Sequence, residues 1–527
     1  VIKGNLSSEN SRPLLLQSAS LRERENIYLQ AAGYVTRRGK SVIILKPEIA
    51  PTRPFIEKLK HEFREKLFVT HSGLTAKSRW EQWQRAARAE CSVVAGARAA
   101  VLQAVRNLGL IIVDEEDDEA YKQEEIPRYH AREVALIRGE VAKCAVILGS
   151  SVPSMESLYL AATGKMEHID LTSVEARSKS RVELVDLKQK SGRGTISPLL
   201  VNCIRDTLKK DGQTLLFLNR RGYATSIQCR DCGFVLRCTV CNISLTYHTQ
   251  SGKAKCRYCP HEESALSICP NCGGNKIWYM GMGTQKVERE IRKLFPEATV
   301  CRLDSDTAKE KGGLELLLET IEKGETQIVV STQLAQPYLL EHNFALTGVI
   351  YADAILNMPD FRAAERAFRL VYQLAGPEAG KNGARKVIVQ SYNPDHYSLT
   401  LAQKLDCNGF YNEEMERREE LAYPPLTKMI SIRVEGGPDS GAEPFAVSLA
   451  ENFRSRVPEH SDVTVMGPTL VHLARARSKI RWQILLKGSD EAAVEELAGW
   501  ALNEFAHRGK SNRKVQVSVD VDPISLF

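Results

Sequence analysis

Eight of the 13 cysteines stand as four C-x-x-C pairs: Cys229/Cys232, Cys238/Cys241, Cys256/Cys259 and Cys269/Cys272. A C-x-x-C turn sets two sulfurs on one side of a tight bend, the geometry that a tetrahedral Zn²⁺ ion requires. Two sites of four thiolates would use all eight, so the segment predicts two zinc ions. Fe–S ligation and a disulfide framework are the alternatives. Disulfides fit poorly with a chain of 527 residues that shows no signal peptide and is far too large to need staples. Spacing alone leaves open whether the pairs combine sequentially or nested. Tyr247, His248 and His261 lie nearby, and with eight thiolates available they read as structural. The remaining cysteines, at 91, 144, 203, 301 and 407, read as buried small hydrophobes.

The elements that must hold these cysteines are of α/β type. Short apolar runs at Pro13–Gln17, Ser41–Leu45, Leu67–Thr70, Cys91–Ala95, Leu110–Val113 and Cys144–Gly149 alternate with charged helical stretches. That pattern predicts a mostly parallel sheet covered on both faces. A second series follows at Thr214–Leu218, Thr299–Leu303, Gln327–Ser331, Thr347–Tyr351 and Lys386–Gln390. The cysteine segment falls between its first two strands, and Lys286–Phe295 is the next helix. From about residue 425 the order becomes β-α-β-β-α-β, with strands at Met429–Val434, Val463–Gly467, Arg481–Leu486 and Val515–Val521 and helices at Ala442–Arg456 and Glu491–Arg508. That order suggests a ferredoxin-like α+β domain. The expected division is 1–175, 176–228, 229–272, 273–420 and 421–527: a first lobe, a linker with the start of a second lobe, a zinc insert, the rest of the second lobe, and the end domain. The segment up to about residue 10 is polar and is expected to fray.

Hydrophobic residues make up 43% and charged residues 26%, and the net charge is +7. The charge permits nucleic-acid binding without establishing it. No run approaches a membrane span, so the expected default location is the cytoplasm, with no membrane partner. Arg475, Arg477, Lys479, Arg481 and Trp482 mix cations with an aromatic ring. They form a candidate phosphate-contacting edge, or else a solvated hairpin.

Taken together these features resemble the helicase core of the bacterial primosomal protein N′ (PriA) family. The segment CRDCGFVLRCTVCNISLTYH, with CRYC at 256–259 and CPNCGG at 269–274, is the strongest match. KPEIAPT (46–52), THSGL (70–74), DEEDDEAYKQEEIPRYHAREVA (114–135), GSSVPSMES (149–157), FLNRRGY (217–223), GMGTQKVERE (281–290), LNMPDFRAAERAF (356–368), AYPP (422–425) and VDVDP (519–523) follow in the family's order. The resemblance implies two recombinase-like lobes of a superfamily-2 helicase that clamp ATP between them. It also implies a binuclear zinc insert over DNA, and nested ligand sets: Cys229, Cys232, Cys269 and Cys272 in one, Cys238, Cys241, Cys256 and Cys259 in the other. Implied partners are forked or single-stranded DNA, primosome proteins, the replicative helicase or its loader, and single-stranded-DNA-binding protein. The family carries an N-terminal DNA-binding domain and a winged-helix domain ahead of this region, and neither is visible in this sequence.

The family's nucleotide motifs are altered. A P-loop needs glycines for its amide cradle, a Lys for the phosphates and a Ser/Thr for Mg²⁺. In LLLQSASLRERENIYLQ (14–30) those positions fall on Leu21, Glu23, Arg24 and Glu25, which leaves Arg24 as a vestigial phosphate contact. Asp114 and Glu115 keep the place of the acidic pair, but the histidine two positions after it is Asp117. With the P-loop gone, the acidic run reads as a solvated loop. Ser150 and Pro153 persist in the coupling motif, whose threonine is Val152. After Ser331, Thr332 and Gln333 the family's glycine-rich segment is lost. The closing arginine motif has become QLAGPEAGK (373–381), with Pro377 and Glu378 where an arginine would stand and Lys381 replacing the last. ATP and Mg²⁺ are therefore doubtful cofactors. The expectation is a replication-restart protein that binds DNA and recruits partners without ATP-driven unwinding. The rivals are an ATP-dependent 3′–5′ helicase with divergent nucleotide contacts and a protein-interaction scaffold whose DNA binding has decayed. Arg220, Arg221 and Tyr223 are further DNA-contact candidates.

Overall fold

The computed structural model describes residues 2–6, 12–47, 53–71, 73–172, 181–189, 194–218, 226–248, 251–279, 284–304, 313–332, 339, 342, 344–376, 385–459, 461–471, 480–508 and 514–526. The chain divides into two compact units, Val1–Arg177 and Ser178–Phe527.

The first unit is built on a seven-stranded sheet. Its strands lie in the order Leu67–Thr70, Val93–Gly96, Ser41–Leu45, Leu108–Asp114, Ala145–Ser150, Leu14–Gln17 and Glu167–Asp170. Every pairing is parallel. The central strands are apolar throughout because helices cover both faces, as in any all-parallel sheet. Leu14, Leu16, Val42, Ile44 and Ile112 pack into one core, and Leu15, Ile43, Leu45, Ile111 and Val113 into the other. Glu167–Asp170, with the polar sequence EHID, was not expected as a strand; it is a four-residue edge, where one side needs no apolar partner. Ile2 and Leu6 of the short helix Ile2–Asn5 and its following turn pack on the first core, so this stretch is anchored rather than frayed.

The second unit begins with a six-stranded parallel sheet in the order Val300–Leu303, Ile328–Ser331, Thr214–Phe217, Leu346–Val349, Lys386–Ser391 and Arg181–Asp186. Arg181–Asp186 is the second strand that apolar patterning did not reveal, and it too is an edge. Two of the cysteines expected to be fully buried, Cys203 and Cys301, are only partly so. Lys386 Nζ lies 3.2 Å from the Cys203 sulfur.

The last part is an antiparallel sheet in the order Thr464–Val471, Ile480–Gly488, Lys428–Gly436 and Val515–Val521. The helices Ala442–Arg454 and Glu491–Arg508 connect its first to its second and its third to its fourth strand in the chain. Ile430, Ile432, Ile484, Leu486, Leu449 and Val494 belong to the shared core. This is a C-terminal α+β domain of β-α-β-β-α-β order. Among the described residues no helix is long and apolar enough to cross a membrane.

Candidate metal centres and the pocket of the first unit

The cysteine segment is closed at its neck by an antiparallel pairing of Ile227–Cys229 with Ile277–Tyr279. A three-stranded sheet, Thr246–His248, Lys253–Lys255 and Glu262–Ser264, spans its outer half. Each turn is made locally. After Cys232, Cys241 and Cys272 the chain enters the left-handed region, at Gly233 (φ 81°), Asn242 (φ 53°) and Gly273 (φ 70°). Glycine and asparagine tolerate that conformation best. The reversals let Cys229 N donate to Phe234 O and Cys238 N to Ile243 O, both within 2.9 Å.

The sulfurs gather in two nested sets: Cys229, Cys232, Cys269 and Cys272, and Cys238, Cys241, Cys256 and Cys259. Within each set the ligand atoms lie within 4.8 Å of one another. Three separations are 3.7 Å (Cys229–Cys272), 3.6 Å (Cys232–Cys269) and 3.6 Å (Cys238–Cys259). A regular tetrahedron of sulfurs around one Zn²⁺ has edges of about 3.8 Å, from a Zn–S bond of about 2.3 Å. A disulfide would need about 2.05 Å. The donor sets therefore fit a tetrahedral metal and not a cystine framework. The amides of Cys241 and Tyr258 each approach a ligand sulfur, Cys238 and Cys256 respectively, at 3.4 Å, which favours the thiolate form. A hydrogen bond with Cys241 holds the Cys256 thiol down to about 5 against the opposing effect of burial, while the same bond pushes Cys241 up.

This module is welded to the rest of its unit. Cys238, Cys241, Tyr258 and Leu245 share a core with Tyr423, Met429, Met466 and Leu485 of the C-terminal region. Tyr423 donates from its hydroxyl to Cys241 O at 2.9 Å. Gln228 Nε2 donates to Asp353 at 2.9 Å, and Asn393 Nδ2 donates to Gly233 O at 3.0 Å. His261 pairs with Glu263 at 2.9 Å, and Tyr247 packs on Tyr279 with ring centroids 4.4 Å apart.

In the first unit the altered P-loop forms a plain strand-to-helix turn. Ser20 caps the helix Leu21–Thr36 by accepting from Glu23 N, and Glu23 in turn accepts from the Ser18 hydroxyl at 2.6 Å. Arg24 is 1% exposed. Its Nε donates to Asp114 Oδ1 at 3.1 Å, and its other nitrogens reach Glu115 and the Ser18 carbonyl. Lys46, at the end of the strand Ser41–Leu45, donates to Asp114 Oδ2 at 2.5 Å and approaches Glu25 at 3.4 Å. Lys58 reaches the other oxygen of Glu25 at 2.9 Å, and Tyr28 donates to Asp114 Oδ1 at 2.8 Å. Gly149 makes room for that tyrosine, since a Cβ there would stand 1.7 Å from its oxygen.

Arg24, Lys46 and Lys58 thus pair with Asp114, Glu115 and Glu25. Burial raises the Asp114 carboxyl, but Lys46 and Arg24 outweigh it and hold the group down to about 2. For Glu115 burial prevails over the attraction of Arg24 and pushes the carboxyl up. Both Asp114 oxygens are taken by protein donors, no glycine cradle precedes the helix, and Glu25 holds the place of a magnesium hydroxyl. The residues present do not fit magnesium–ATP.

The acidic run is not a solvated loop, contrary to expectation. Asp114 and Glu116 are fully buried and Asp117 is 9% exposed. Glu116 accepts from Arg132 at 2.9 Å, from Ser154 N at 2.7 Å and from the Ser157 hydroxyl at 2.9 Å. The Ser150 hydroxyl donates to Asp117 at 2.5 Å. The start of the helix Ala131–Ala142, the capped start of the helix Met155–Ala162 and the end of the strand Ala145–Ser150 supply these partners, which sequence alone does not pair. Lys46 and Tyr28 had no assigned role in the sequence. A lone lysine closing the apolar strand SVIIL was the available signal.

Of the DNA-contact candidates, Arg220, Arg221, Tyr223, Arg475, Arg477 and Lys479 lie outside the described residues, as do Gln333, Pro377, Glu378 and Lys381. Arg481 is committed to Glu435 at 2.5 Å, and Trp482 packs against the core of the C-terminal sheet. Both contribute to the sheet, Arg481 through this ion pair and Trp482 through its packing.

A second network was also missed. Asp360 pairs with Arg366 at 2.9 Å and accepts from Tyr258 of the cysteine module at 3.3 Å. Arg362 donates to Pro523 O at 3.0 Å and Arg366 to Ile524 O at 2.8 Å. Arg418 joins Glu365 at 2.7 Å, Glu414 at 2.8 Å and the Pro424 carbonyl at 2.9 Å. Three of the quoted segments, PDFRAAER, AYPP and VDVDP, therefore meet in one buried junction.

Comparison with known proteins agrees with this arrangement. Residues 419–524 match the model of the Primosomal protein N C-terminal domain. The chain is 36% identical to the replication restart protein PriA of Bacillus subtilis (strain 168) over 100% of its own length and 66% of that protein. It is 36% identical to the replication restart protein PriA of Treponema pallidum (strain Nichols), over 99% of this chain and 78% of that one. The chain thus spans just under two thirds of the first relative. Among solved structures it resembles the DUF1998 helicase MrfA bound to DNA and AMPPNP, at 11% identity and a TM-score of 0.42, over 76% of this chain and 50% of that one. That score is too low to carry an argument, and the assignment rests on the sequence relatives. With both cysteine foursomes in place and the identity running the length of the chain, this protein belongs to the family of the replication restart protein PriA.

Proposed function

We propose that this chain is a replication-restart protein that binds forked or single-stranded DNA and helps assemble a primosome without ATP-driven unwinding. The observation that carries the reading is the network in which Arg24, Lys46 and Lys58 pair with Asp114, Glu115 and Glu25, taken together with two complete cysteine foursomes. The first occupies the place where a nucleotide and its metal would be held, and the second keeps a structural module intact.

The two foursomes would each hold one Zn²⁺, which supplies folding free energy rather than chemistry. The β-α-β-β-α-β order and the strand order of the C-terminal sheet support a ferredoxin-like domain at 421–527. The two parallel sheets support helicase-type lobes at 1–175 and, around the 229–272 insert, at 176–228 and 273–420. Partners would be primosome proteins, the replicative helicase or its loader, and single-stranded-DNA-binding protein, as the family membership suggests.

The test is ATP hydrolysis by zinc-loaded protein with and without forked DNA, with fork binding measured on the same samples. The expected result is salt-dependent fork binding and no hydrolysis that DNA stimulates. DNA-stimulated turnover that disappears in Glu115→Gln would restore the helicase reading. Absence of fork binding at low salt, with partner binding intact, would leave a scaffold.

A further inference from the structure

The helix Ala76–Ala87 lies beside the edge strand Leu67–Thr70 of the first unit. It faces its own sheet with Ala86, which is buried, and with Gln82, whose amide donates to Val69 O at 3.4 Å. Arg85 lies over the Phe68 ring and pairs with Glu90 at 2.8 Å, so it is committed to holding the helix. Trp80 and Trp83 stand off this seam, roughly a third of a turn around the helix by its 3.6-residue repeat. They are 56% and 37% exposed, and they are stacked on each other with ring centroids 5.3 Å apart and planes 8° from parallel.

Tryptophan carries the largest apolar surface of any side chain, and burying it is strongly favourable. Two of them held side by side in solvent describe a surface built for a flat, apolar partner. Their surroundings select which one. By the same repeat Arg79 flanks the pair on one side and Lys77 and Arg88 on the other; all three are exposed. Lys77 approaches Glu81 only at 3.9 Å. A plane of two parallel indoles bordered by cations on both sides complements a nucleobase with its phosphates. It does not complement an apolar helix, which would leave those cations unpaired against it.

We infer that the Trp80–Trp83 pair is a stacking platform for single-stranded nucleic acid, with Lys77, Arg79 and Arg88 contacting the phosphates on either side. One base stacks on the outer face of Trp80, and Trp83 backs that ring and holds its orientation. Such contacts are tolerant of sequence because every base has a π-face. The inference rests on the DNA-binding reading above and adds to it a contact region in the first unit.

The test uses the full chain, loaded with zinc, and a thymidine homopolymer, followed by fluorescence anisotropy of the DNA and by quenching of the protein's tryptophan emission. Trp80→Ala should weaken binding about tenfold and remove most of the quenching, while Trp80→Phe should keep most of the affinity. Arg88→Gln should leave the melting temperature unchanged and lower the slope of log affinity against log salt by about 0.7. Because Trp80 and Arg88 are exposed, loss of fold does not confound the result; unaltered circular dichroism verifies this. If forks and homopolymer still bind with undiminished affinity in Trp80→Ala, this inference fails and the restart reading stands. If the unsubstituted protein binds neither, both fail. If Trp80→Ala abolishes a self-association of the protein and leaves DNA affinity unchanged, the face is a contact between two copies and the platform is overturned.

Discussion

The cysteine module and the buried ion cluster of the first unit treat their charged groups in opposite ways. In the module, eight sulfurs are aimed at two points by short local turns. In the cluster, cations and carboxylates of the chain itself are turned on one another, Arg24 and Lys46 on Asp114, Lys46 and Lys58 on Glu25. The difference teaches how a fold accommodates a buried acidic cluster at its strand ends. Buried carboxylates at the ends of parallel strands cannot be left bare, because an unpaired buried charge costs several kcal/mol. Such a cluster persists as a structural element only if protein cations neutralise it. Here Lys46 and Arg24 do so, and Tyr28 supplies a third donor to the same Asp114 carboxylate.

The sharpest way to break the comparison is at the metal. Cys238→Ser or Cys259→Ser should reduce the zinc content from two to one and unfold the outer part of the module, because about 10–16 kcal/mol of folding free energy comes with each structural zinc. Since Tyr423, Met429 and Leu485 share that core, amide exchange should rise in the C-terminal sheet as well. Metal analysis giving two zincs in both variants would contradict four-thiolate ligation, and a double variant Cys238→Ser/Cys259→Ser that loses both zincs would contradict the nested sets.

The corresponding break in the pocket is smaller. Asp114→Asn leaves Arg24 and Lys46 buried without their common carboxylate, and should lower stability at pH 7 by about 3–5 kcal/mol. The pH dependence fixes the cause. The folded carboxyl is held at about 2, below its ordinary value of 3.8. Its contribution is therefore complete above about pH 4 and is lost as pH falls towards 2, by about 2 kcal/mol. Denaturant titrations should show the gap between variant and parent narrowing over that window. A gap independent of pH would mean that Asp114 acts through packing alone.

The finest comparison is between two glycines of the module. A Cβ at Gly233 would stand 2.5 Å from the Asn393 side-chain oxygen and 2.6 Å from the Tyr392 carbonyl, and the residue also has positive φ. Gly273 shares the positive φ but faces open space. Gly273→Ala should cost about 1 kcal/mol, the backbone term alone. Gly233→Ala should cost more, about 2–3 kcal/mol, because the module must also shift against the second-lobe sheet. Equal melting temperatures for the two variants would show that the module is hung loosely at that point.

Much of this molecule is written locally. The C-x-x-C spacing determined which sulfurs come as pairs, because the turn is closed within five residues by its own amides and by Gly233, Asn242 and Gly273. The apolar runs SVIIL, LIIV and AVIL determined the interior strands, because a strand covered on both faces has no polar position to spare. The loss of glycines from 17–25 determined that no phosphate cradle forms there. Edge strands such as Glu167–Asp170 and Arg181–Asp186 were illegible, since an edge carries little burial and leaves no apolar signature. Only the tertiary structure decided which pairs of cysteines share a centre, how the acidic run 114–117 is neutralised, and that Arg481 and Trp482 serve the sheet. These outcomes depend on side chains tens of residues apart meeting at strand ends. A buried charge takes whichever partner the fold brings within about 3 Å, and sequence order does not record that distance.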